Sequence, residues 1–473
     1  MNDGEAWDVV ILGAGLAGLT AGNLLSGPGA DVLVIERERA VGGLSRTMEH
    51  NGFRFDLGGH RFITDNQRVD DLVKDILDGD FLEVDRSSKV LLNGKYFDYP
   101  WRLLNAFRGL GVRGTSAILF DYSAERLRRL FRKTEIRSFE DVMVHRFGRA
   151  MFDIFIKEYS EKVWGIECGL IAKELAEWRI QGLSLWVAAR DALYGPGGGN
   201  VRTLARKFLF PPLGIGMIAE GLRREIERNN PVLTDTTVVR VDHSTGKIDS
   251  VTVRKGNETR LHRAAEFVSS IPLNTLVRLL DPKPPAEILE AAAGLRFRDL
   301  LMVTVMIDRP RVTDLTWIYV PGRQIPFGRI HEPTNWSAKM APEGKTLLVT
   351  EHFCFRGDGL WRTADDALVE TTVASLEGLG FILRHEVIDS LVLRIPNAYP
   401  VFEVSHHENR RKIRDYLETF GNLRVIGRGG TFRYFNMDHA IESGISAAEE
   451  IIAGNPELRS HGCDESALAE ARP

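Results

Sequence analysis

The sequence contains little cysteine. Three cysteines occur in 473 residues, Cys168, Cys354 and Cys463, far apart and without a CxxC pair. This pattern is not typical of a disulfide framework or a zinc site, so we expect reduced thiols, no metal and a cytoplasmic protein. The sequence also lacks the run of about 18 apolar residues that spans a bilayer. Its first ten residues, MNDGEAWDVV, lack the basic and apolar regions of a signal peptide.

An excess of either charge is also absent. The 61 basic and 65 acidic residues give a net charge of −4, which provides no general attraction to nucleic acid. The basic stretch ERLRRLFRK is interpreted as the solvated face of a packed helix, with contact to a membrane surface or an anionic partner as the alternative. A length of 473 residues suggests about three domains and an interior large enough to bury a cofactor. The composition is compatible with a homo-oligomer but does not define the oligomeric state.

A glycine-rich turn follows the first predicted strand. VVILGAGLAGL places Gly13, Gly15 and Gly18 in GxGxxG spacing between a strand and a helix. Gly13 permits a tight turn, Gly15 lets backbone approach a pyrophosphate, and Gly18 packs the helix against the strand. Glu36 ends the second strand, where a carboxylate can hold ribose hydroxyls. The pattern predicts a dinucleotide-binding site.

The following segment, RERAVGGLSRT, distinguishes FAD from NAD. It contains a second glycine pair, Gly42 and Gly43, and then Arg46. The ExxxxxGG…R pattern resembles the FAD superfamily of amine oxidases, protoporphyrinogen oxidases, phytoene desaturases and UDP-galactopyranose mutases. The resemblance implies an FAD cofactor, with Arg46 near its phosphates or flavin.

Strand and helix patterns along the chain predict an α/β fold. A discontinuous, Rossmann-like FAD-binding domain is expected over residues 1–85, 211–270 and 395–455. A helical domain is expected to be inserted over residues 100–205, and a mostly antiparallel sheet that binds the substrate over 86–99 and 271–394. The polar tail, residues 456–473, is expected to be disordered.

Three stretches resemble UDP-galactopyranose mutases in particular. They are RFGRAMFDIFIKEYSEKVWG (146–165), IGRGGTFRYFNMDHAI (426–441) and FDLGGHRFIT (55–64). The stretch RIQGLSLWVAARDALYGPGGGN does not match the mobile segment of the bacterial mutases, so neither the sugar nor the nucleotide is defined. FVSSIP and SSKVLLNGKYFDYP resemble protoporphyrinogen oxidases equally well.

A nucleotide-diphosphate sugar needs cations and hydroxyl groups around its diphosphate, and the arginine fork binds phosphate oxygens bidentately. For each arginine alone a structural role is equally consistent, and Trp164 fits core packing as well as stacking on a base. The resemblance implies that the substrate is bound by Trp164, Arg179, Arg329, Tyr399, Tyr434 and Asn436.

The GGH stretch is expected at the flavin ring. Gly58 and Gly59 would let backbone lie against the isoalloxazine. His60, with an ordinary pKa near neutrality, would exchange a proton near flavin N5, and Arg329 is the second catalytic candidate. The alternative for His60 is a structural histidine bonded only to backbone.

The resemblance implies that the C-terminal helix points its N-terminus, near Asn436 and Met437, at the flavin. Its partial positive charge, reinforced by Arg428, would stabilise the anionic reduced flavin. Asn436 stands where many bacterial mutases have aspartate. The full set of residues expected to contact FAD is Gly13, Gly15, Leu16, Ala17, Gly18, Glu36, Arg37, Gly42, Gly43, Leu44, Arg46, Gly58, Gly59, His60, Val238, Arg428, Asn436 and Met437.

The resemblance implies a redox-neutral mutase of carbohydrate biosynthesis. Reduced flavin N5 would attack the anomeric carbon, and the sugar would reclose between pyranose and furanose forms. The competing hypothesis is an FAD oxidoreductase of the amine oxidase or protoporphyrinogen oxidase type, and a non-catalytic FAD-binding protein is the third. The first predicts a pocket lined by arginine and tyrosine, and the second an aromatic and apolar pocket.

Overall fold

A computed structural model describes residues 6–27, 29–99, 116–127, 135–179, 207–455 and 458. The glycine-rich stretch GPGGGN and nearly all of the predicted disordered tail lie outside these residues. So do the side chain of Arg179 and the thiol of Cys463.

One eight-stranded sheet carries the glycine-rich turn. Its strands are β1 (Ala6–Leu12), β2 (Val32–Ile35), β9 (Val232–Leu233), β10 (Thr237–Ser244), β11 (Lys247–Lys255), β12 (Glu258–Ser269), β13 (Leu280–Asp281) and β19 (Leu423–Val425). β1 pairs in parallel with β2 and β12, and β12 pairs in parallel with β19. β2 is buried at every position, as expected for a parallel strand covered on both faces. The parallel centre of this sheet joins segments that are distant in sequence.

Three helices cover one side of this parallel centre. Helix α1 (Leu16–Ser26) packs against α8 (Gly216–Ile226) and α15 (Met437–Gly454). A Cβ on Gly444 would lie 2.4 Å from the Ala17 carbonyl oxygen, so α15 approaches α1 at backbone distance. The last helix of the chain is thereby held beside the first.

A second sheet has seven strands. They are β6 (Ser88–Leu92), β7 (Lys95–Asp98), β14 (Phe297–Ile307), β15 (Trp317–Tyr319), β16 (Arg329–His331), β17 (Thr346–Cys354) and β18 (Val387–Pro400). Their order is β18-β14-β17-β16-β15-β6-β7, and each neighbouring pair is antiparallel except β15 with β6. β14 and β17 are buried along their whole length. β18 continues past residue 394, where the expected substrate domain ended.

A helical segment is inserted after the first strands of the second sheet. Its described helices are α3 (116–127), α4 (Phe139–Phe147), α5 (Arg149–Met151), α6 (Glu158–Trp164) and α7 (Glu174–Arg179). Ser138 and Asp141 form reciprocal side-chain to backbone bonds that start α4. A π-helical turn, Phe152–Lys157, joins α5 to α6.

The remaining described elements complete the two layers. They are the strands β3 (Thr47–His50), β4 (Phe53–Asp56), β5 (Leu82–Asp85) and β8 (Lys207–Phe210), and the helices α2 (Gln67–Ile76), α9 (Leu273–Leu279), α10 (Ala286–Ala293), α11 (Gly359–Arg362), α12 (Asp365–Gly378), α13 (His406–Leu417) and α14 (Gly427–Thr431). The two sheets and the helical segment confirm the predicted α/β fold class. The predicted glycine turn after β19 is the short helix α14.

Candidate functional site

A cavity of about 1280 Å³ extends from the end of β2, past the N-terminus of α15, to a wall formed by the second sheet. Gly18 and Gly58 are not among its lining residues, and the side chain of Arg179 lies outside the described part of the chain. The predicted site residues that do line it are Gly13, Gly15, Leu16, Ala17, Glu36, Arg37, Gly42, Gly43, Leu44, Arg46, Gly59, His60, Trp164, Val238, Arg329, Tyr399, Arg428, Tyr434, Asn436 and Met437.

The GxGxxG glycines have different surroundings. Gly13 adopts φ +100°, a left-handed conformation that favours glycine. A Cβ on Gly18 would lie 2.0 Å from the Gly13 carbonyl oxygen, so Gly18 lets α1 pack on the turn. A Cβ on Gly15 would meet no protein atom within 4 Å, because this residue borders the cavity. The turn therefore leaves room beside Gly15 and the N-terminus of α1, which fits a pyrophosphate.

The second glycine pair is bonded to the first motif. The Gly42 N–H donates to the Ala14 carbonyl at 2.7 Å, and a Cβ on Gly43 would lie 3.3 Å from the Gly15 Cα. The Glu36 carboxylate accepts from the Ala14 N–H at 2.9 Å and stays at the cavity. Arg46 lies at this same end, 3.8 Å from the Glu38 carboxylate. The arrangement suits a dinucleotide with its ribose near Glu36.

Gly58 and Gly59 are required for two separate reasons. Gly58 adopts φ +104°. A Cβ on Gly59 would lie 1.4 Å from a ring carbon of Trp317, so Gly59 makes room for this indole as well as bordering the cavity. The Gly59 N–H points to the Glu351 carboxylate at 3.4 Å. The packing of Trp317 on this segment was not foreseen from the sequence.

His60 borders the cavity beside these glycines. Its Nδ1 lies 3.2 Å from the Gly58 carbonyl, which can only accept, so Nδ1 carries the proton and Nε2 is an acceptor in the neutral ring. Burial, with the charges of Arg428 and Arg329, lowers the pKa of His60 to about 4. The expectation of a near-neutral pKa is wrong, because two cations and a buried site disfavour imidazolium.

Arg329 is a buried cation on β16. Its guanidinium lies 3.2 Å from the Glu351 carboxylate and 3.4 Å from the Tyr399 hydroxyl. Burial is the largest single influence and lowers the pKa of Arg329, but the Glu351 carboxylate, together with nearby tyrosines, offsets burial and raises this pKa well above the ordinary value. The guanidinium is also 4.7 Å from the ring centre of Phe353. Arg329 is therefore a permanently charged group held in one orientation.

Arg428 extends the same cavity wall. Its guanidinium lies 4.9 Å from the ring centre of Tyr399 and 5.4 Å from that of Tyr434. The structure thus brings together Arg329, Tyr399, Arg428 and Tyr434. Trp164 also touches this group, edge to face with Tyr399 at 6.1 Å, but only 3% of it is exposed. Packing dominates the environment of Trp164, although the residue borders the cavity.

The N-terminus of α15 faces the cavity. The helix begins at Met437, and residues 436–440 line the cavity. The Asn436 N–H donates to His439 Nδ1 at 3.3 Å. A helix N-terminus carries about half a positive charge, which favours an anionic group nearby.

Lys162 in the EKVWG stretch connects the helical segment to the second sheet. Its ammonium donates to the carbonyls of Val320, Gly322 and Phe327 at 3.0, 2.8 and 2.7 Å. The loop between β15 and β16 is thereby fixed two residues before Arg329. Burial lowers the pKa of Lys162 to about 8, and the lysine acts as a positioning residue rather than as part of the cavity wall.

Sequence reasoning missed several polar residues that line the cavity or lie directly behind its wall. Glu351, the partner of Arg329, left no local signal in the sequence. The others are Arg61, Arg86, Tyr99, Tyr319, Arg394, Arg410 and Arg433. Arg61 directly follows the GGH stretch, so its position beside this motif could have predicted that it lines the cavity.

The family described as flavin containing amine oxidoreductase matches residues 16–452. The chain belongs to this family. Membership of the flavin-containing family implies a flavin cofactor, and the cavity beside Gly15, Glu36 and α15 is the site whose residues fit it. Among the described helices none is long and apolar enough to cross a bilayer. The described residues also contain no group of three or more histidine, cysteine or acidic side chains placed to hold a metal ion.

Sequence relatives match only parts of the chain. Carotenoid 3,4-desaturase of Haloarcula japonica is 41% identical over 58 residues, which are 12% of this chain and 12% of the relative. UDP-galactopyranose mutase of Mycoplasma genitalium is 22% identical over 174 residues, 35% of this chain and 42% of the relative. The chain therefore spans less than half the length of either relative.

Solved structures match over nearly the whole chain. A crystal structure of reduced UDP-galactopyranose mutase has a TM-score of 0.82 at 22% identity and covers 98% of both chains. Putrescine oxidase bound to putrescine has a TM-score of 0.62 at 16% identity, covering 95% of this chain and 99% of the other. At these identities the likeness shows the fold, which is shared by a mutase and by an amine oxidase.

Proposed function

We propose that this flavin-family chain is an FAD-dependent nucleotide-sugar mutase that interconverts pyranose and furanose forms without net oxidation. The observation that carries the proposal is the wall formed by Arg329, Tyr399, Arg428 and Tyr434. Two arginines and two phenols are the groups that a diphosphate needs, and they replace the apolar wall expected around an amine or a porphyrinogen.

The proposed cofactor is FAD in its reduced form, which supplies a nucleophile at the flavin ring when bound. Gly13, Gly15, Gly42 and Gly43 would hold its pyrophosphate and Glu36 its ribose. The N-terminus of α15, at Asn436 and Met437, would stabilise negative charge on the reduced ring. The other cofactor contacts proposed are those of Leu16, Ala17, Arg37, Leu44, Arg46, Gly59 and Val238, all of which line the cavity.

The chain's own residues would do three things in the reaction. Arg329 and Arg428 would neutralise the departing nucleoside diphosphate, whose oxygens would also accept from the hydroxyls of Tyr399 and Tyr434. His60 is neutral with Nε2 unprotonated, and it would accept a proton inside the cavity once the bound diphosphate offsets the charges of Arg428 and Arg329 that lower its pKa. The buried walls would exclude water from the opened sugar. We also propose that Arg179, Trp164 and Asn436 contact the substrate.

An oxidoreductase of amines or related substrates is the second candidate. The observation in its favour is the family itself, which is named for amine oxidoreductases, together with the fold shared with putrescine oxidase. The two candidates differ in their need for an electron acceptor. A mutase uses none, whereas an oxidase consumes one per turnover.

The diphosphate site can be tested by binding alone. Arg329→Lys keeps a cation beside Glu351 but loses the bidentate fork, so it should fold, retain FAD and bind UDP at least ten-fold more weakly than the parent. Arg329→Ala should weaken UDP by about 100-fold or more. Arg68→Ala, which removes a surface arginine paired with Glu449, is the matched control. Parental affinity for UDP in both Arg329 variants would contradict the proposal.

A further inference from the structure

Arg61 is a half-buried cation, and no carboxylate among the described residues pairs with it. It follows His60 directly and lines the cavity. Its guanidinium lies 5.8 Å from the ring centre of Phe208, and in the described part of the chain it forms no hydrogen bond or ion pair. A guanidinium that is partly removed from water is stabilised when an anion pairs with it. The cavity is the open side from which such an anion can come.

A second arginine stands close by. Arg86 also borders the cavity, 5.5 Å from the ring centre of Tyr99, and its Nε donates to the Ser88 hydroxyl at 3.2 Å. Burial, followed by the charge of Arg86, lowers the pKa of Arg61. Like charges held together in this way favour an anion between them.

Two phenols complete the group. The rings of Tyr99 and Tyr319 lie 4.8 Å apart, and both residues border the cavity. Tyrosine hydroxyls donate hydrogen bonds to anions. Arg61, Arg86, Tyr99 and Tyr319 are called the second cation group below.

Arg61 differs from Arg329 in its charge balance. Arg329 is compensated by Glu351 at 3.2 Å, whereas no carboxylate among the described residues pairs with Arg61. Tyr319, a member of the second cation group, is the cross-strand neighbour of Arg329, so this group adjoins the Arg329 wall. The cavity therefore offers two places for negative charge, the Arg329 wall and the second cation group. A nucleoside diphosphate that carries a neutral sugar has negative charge only on its diphosphate.

We propose that the second cation group binds a carboxylate on the sugar, so that the substrate is an acidic nucleotide sugar. This inference rests on the proposed mutase function. A guanidinium fork presents two parallel N–H donors, the complement of a planar carboxylate. Arg86 supplies the second charge, and the phenols supply further donors.

The experiment compares three probes by equilibrium binding to the FAD-loaded protein: UDP, UDP-galactose and UDP-galacturonate. The parent should bind UDP-galacturonate at least ten-fold more tightly than UDP-galactose. Arg61→Met and Arg86→Met should each abolish this preference and leave the affinities for UDP and UDP-galactose within about two-fold. Arg433→Met, which removes an exposed arginine of the same cavity, should keep the preference. Flavin absorbance verifies that each variant is folded and loaded.

The outcomes separate the two proposals. Equal weakening of all three probes in Arg61→Met would place Arg61 in the diphosphate site and overturn the inference. A parent that binds UDP through Arg329 but does not prefer the uronate would also overturn it, while the mutase proposal would stand. A parent that binds none of the three probes would overturn the inference and would contradict the mutase proposal for a UDP-sugar. Loss of FAD in Arg61→Met, restored by Arg61→Lys, would assign Arg61 to the cofactor and overturn the inference.

Discussion

The guanidinium of Arg329 lies 3.2 Å from the carboxylate of Glu351, and the two residues face each other across β16 and β17. The other oxygen of this carboxylate faces the backbone N–H of Gly59 at 3.4 Å. One fully buried acid therefore connects the proposed diphosphate-binding cation to the segment that carries His60. The two catalytic candidates are held by the same group.

Glu351→Gln tests this connection through stability. Glutamine keeps an acceptor for Gly59 but leaves the Arg329 charge buried without a partner, which should reduce the free energy of unfolding by about 3–5 kcal/mol. Urea unfolding at neutral pH measures the change. Arg329→Met combined with Glu351→Gln should be less destabilised than the sum of the two single variants. Additive effects would mean that the pair is not coupled.

The Arg329–Glu351 pair marks one limit of what the sequence could predict. Arg329 was identified through the resemblance to UDP-galactopyranose mutases. Glu351 is 22 positions away, and its role depends on the register of two strands, which no local pattern reveals. The glycine motifs were more predictable, because turn conformation and close backbone approach are local requirements.

Gly15 and Gly18 provide a matched pair of substitutions. In Gly18→Ala the new methyl would lie 2.0 Å from the Gly13 carbonyl, so the protein should be strongly destabilised or fail to fold. In Gly15→Ala the methyl meets no protein atom, so the free energy of unfolding of the apoprotein should change by less than about 1 kcal/mol. FAD affinity should nevertheless fall, because the methyl enters the space proposed for the pyrophosphate. Unchanged FAD affinity in Gly15→Ala, measured by fluorescence titration, would place the pyrophosphate elsewhere.

His60→Ala separates a catalytic from a structural histidine. The variant should retain FAD, because the ring hydrogen bond that we identify is to the Gly58 carbonyl. Turnover should fall by about 100-fold or more, the usual contribution of a positioned proton acceptor. Product formation and flavin content are measured on the same sample. Near-parental turnover would make His60 structural.

Asp56 gives a prediction about pH. Its carboxylate accepts from the Thr47 hydroxyl at 2.6 Å and from the Ile215 N–H at 3.1 Å, and burial, which these bonds oppose, raises its pKa to about 7. Because the pKa of Asp56 is raised in the folded protein, its neutral carboxyl adds its full contribution to the free energy of unfolding below about pH 4. This contribution is lost as the pH rises through about 7. In Asp56→Asn this loss is absent. The stability of the variant relative to the parent should therefore improve by about 3 kcal/mol between pH 5 and pH 8, measured by urea unfolding. A constant difference would show that Asp56 titrates normally.

The pKa of His60 and the second cation group mark another limit. The pKa of His60 depends on Arg428 and Arg329, and the second cation group joins residues around positions 61, 86, 99 and 319, so both arise only in the folded cavity. Fold class and the cofactor turn could be predicted because they follow from hydrophobic periodicity and short motifs. Charge compensation inside the cavity could not be predicted, because it depends on the distances between side chains on separate strands and loops.

Turnover of nucleotide sugars by the reduced protein tests the central claim most directly. The purified protein is reduced with dithionite without oxygen and incubated with UDP-galactose or UDP-galacturonate, and products are followed by NMR. The proposal predicts pyranose–furanose interconversion that requires reduced flavin and consumes no stoichiometric electron acceptor. Acceptor-dependent oxidation of an amine or related substrate, with no isomerised sugar nucleotide, would contradict it.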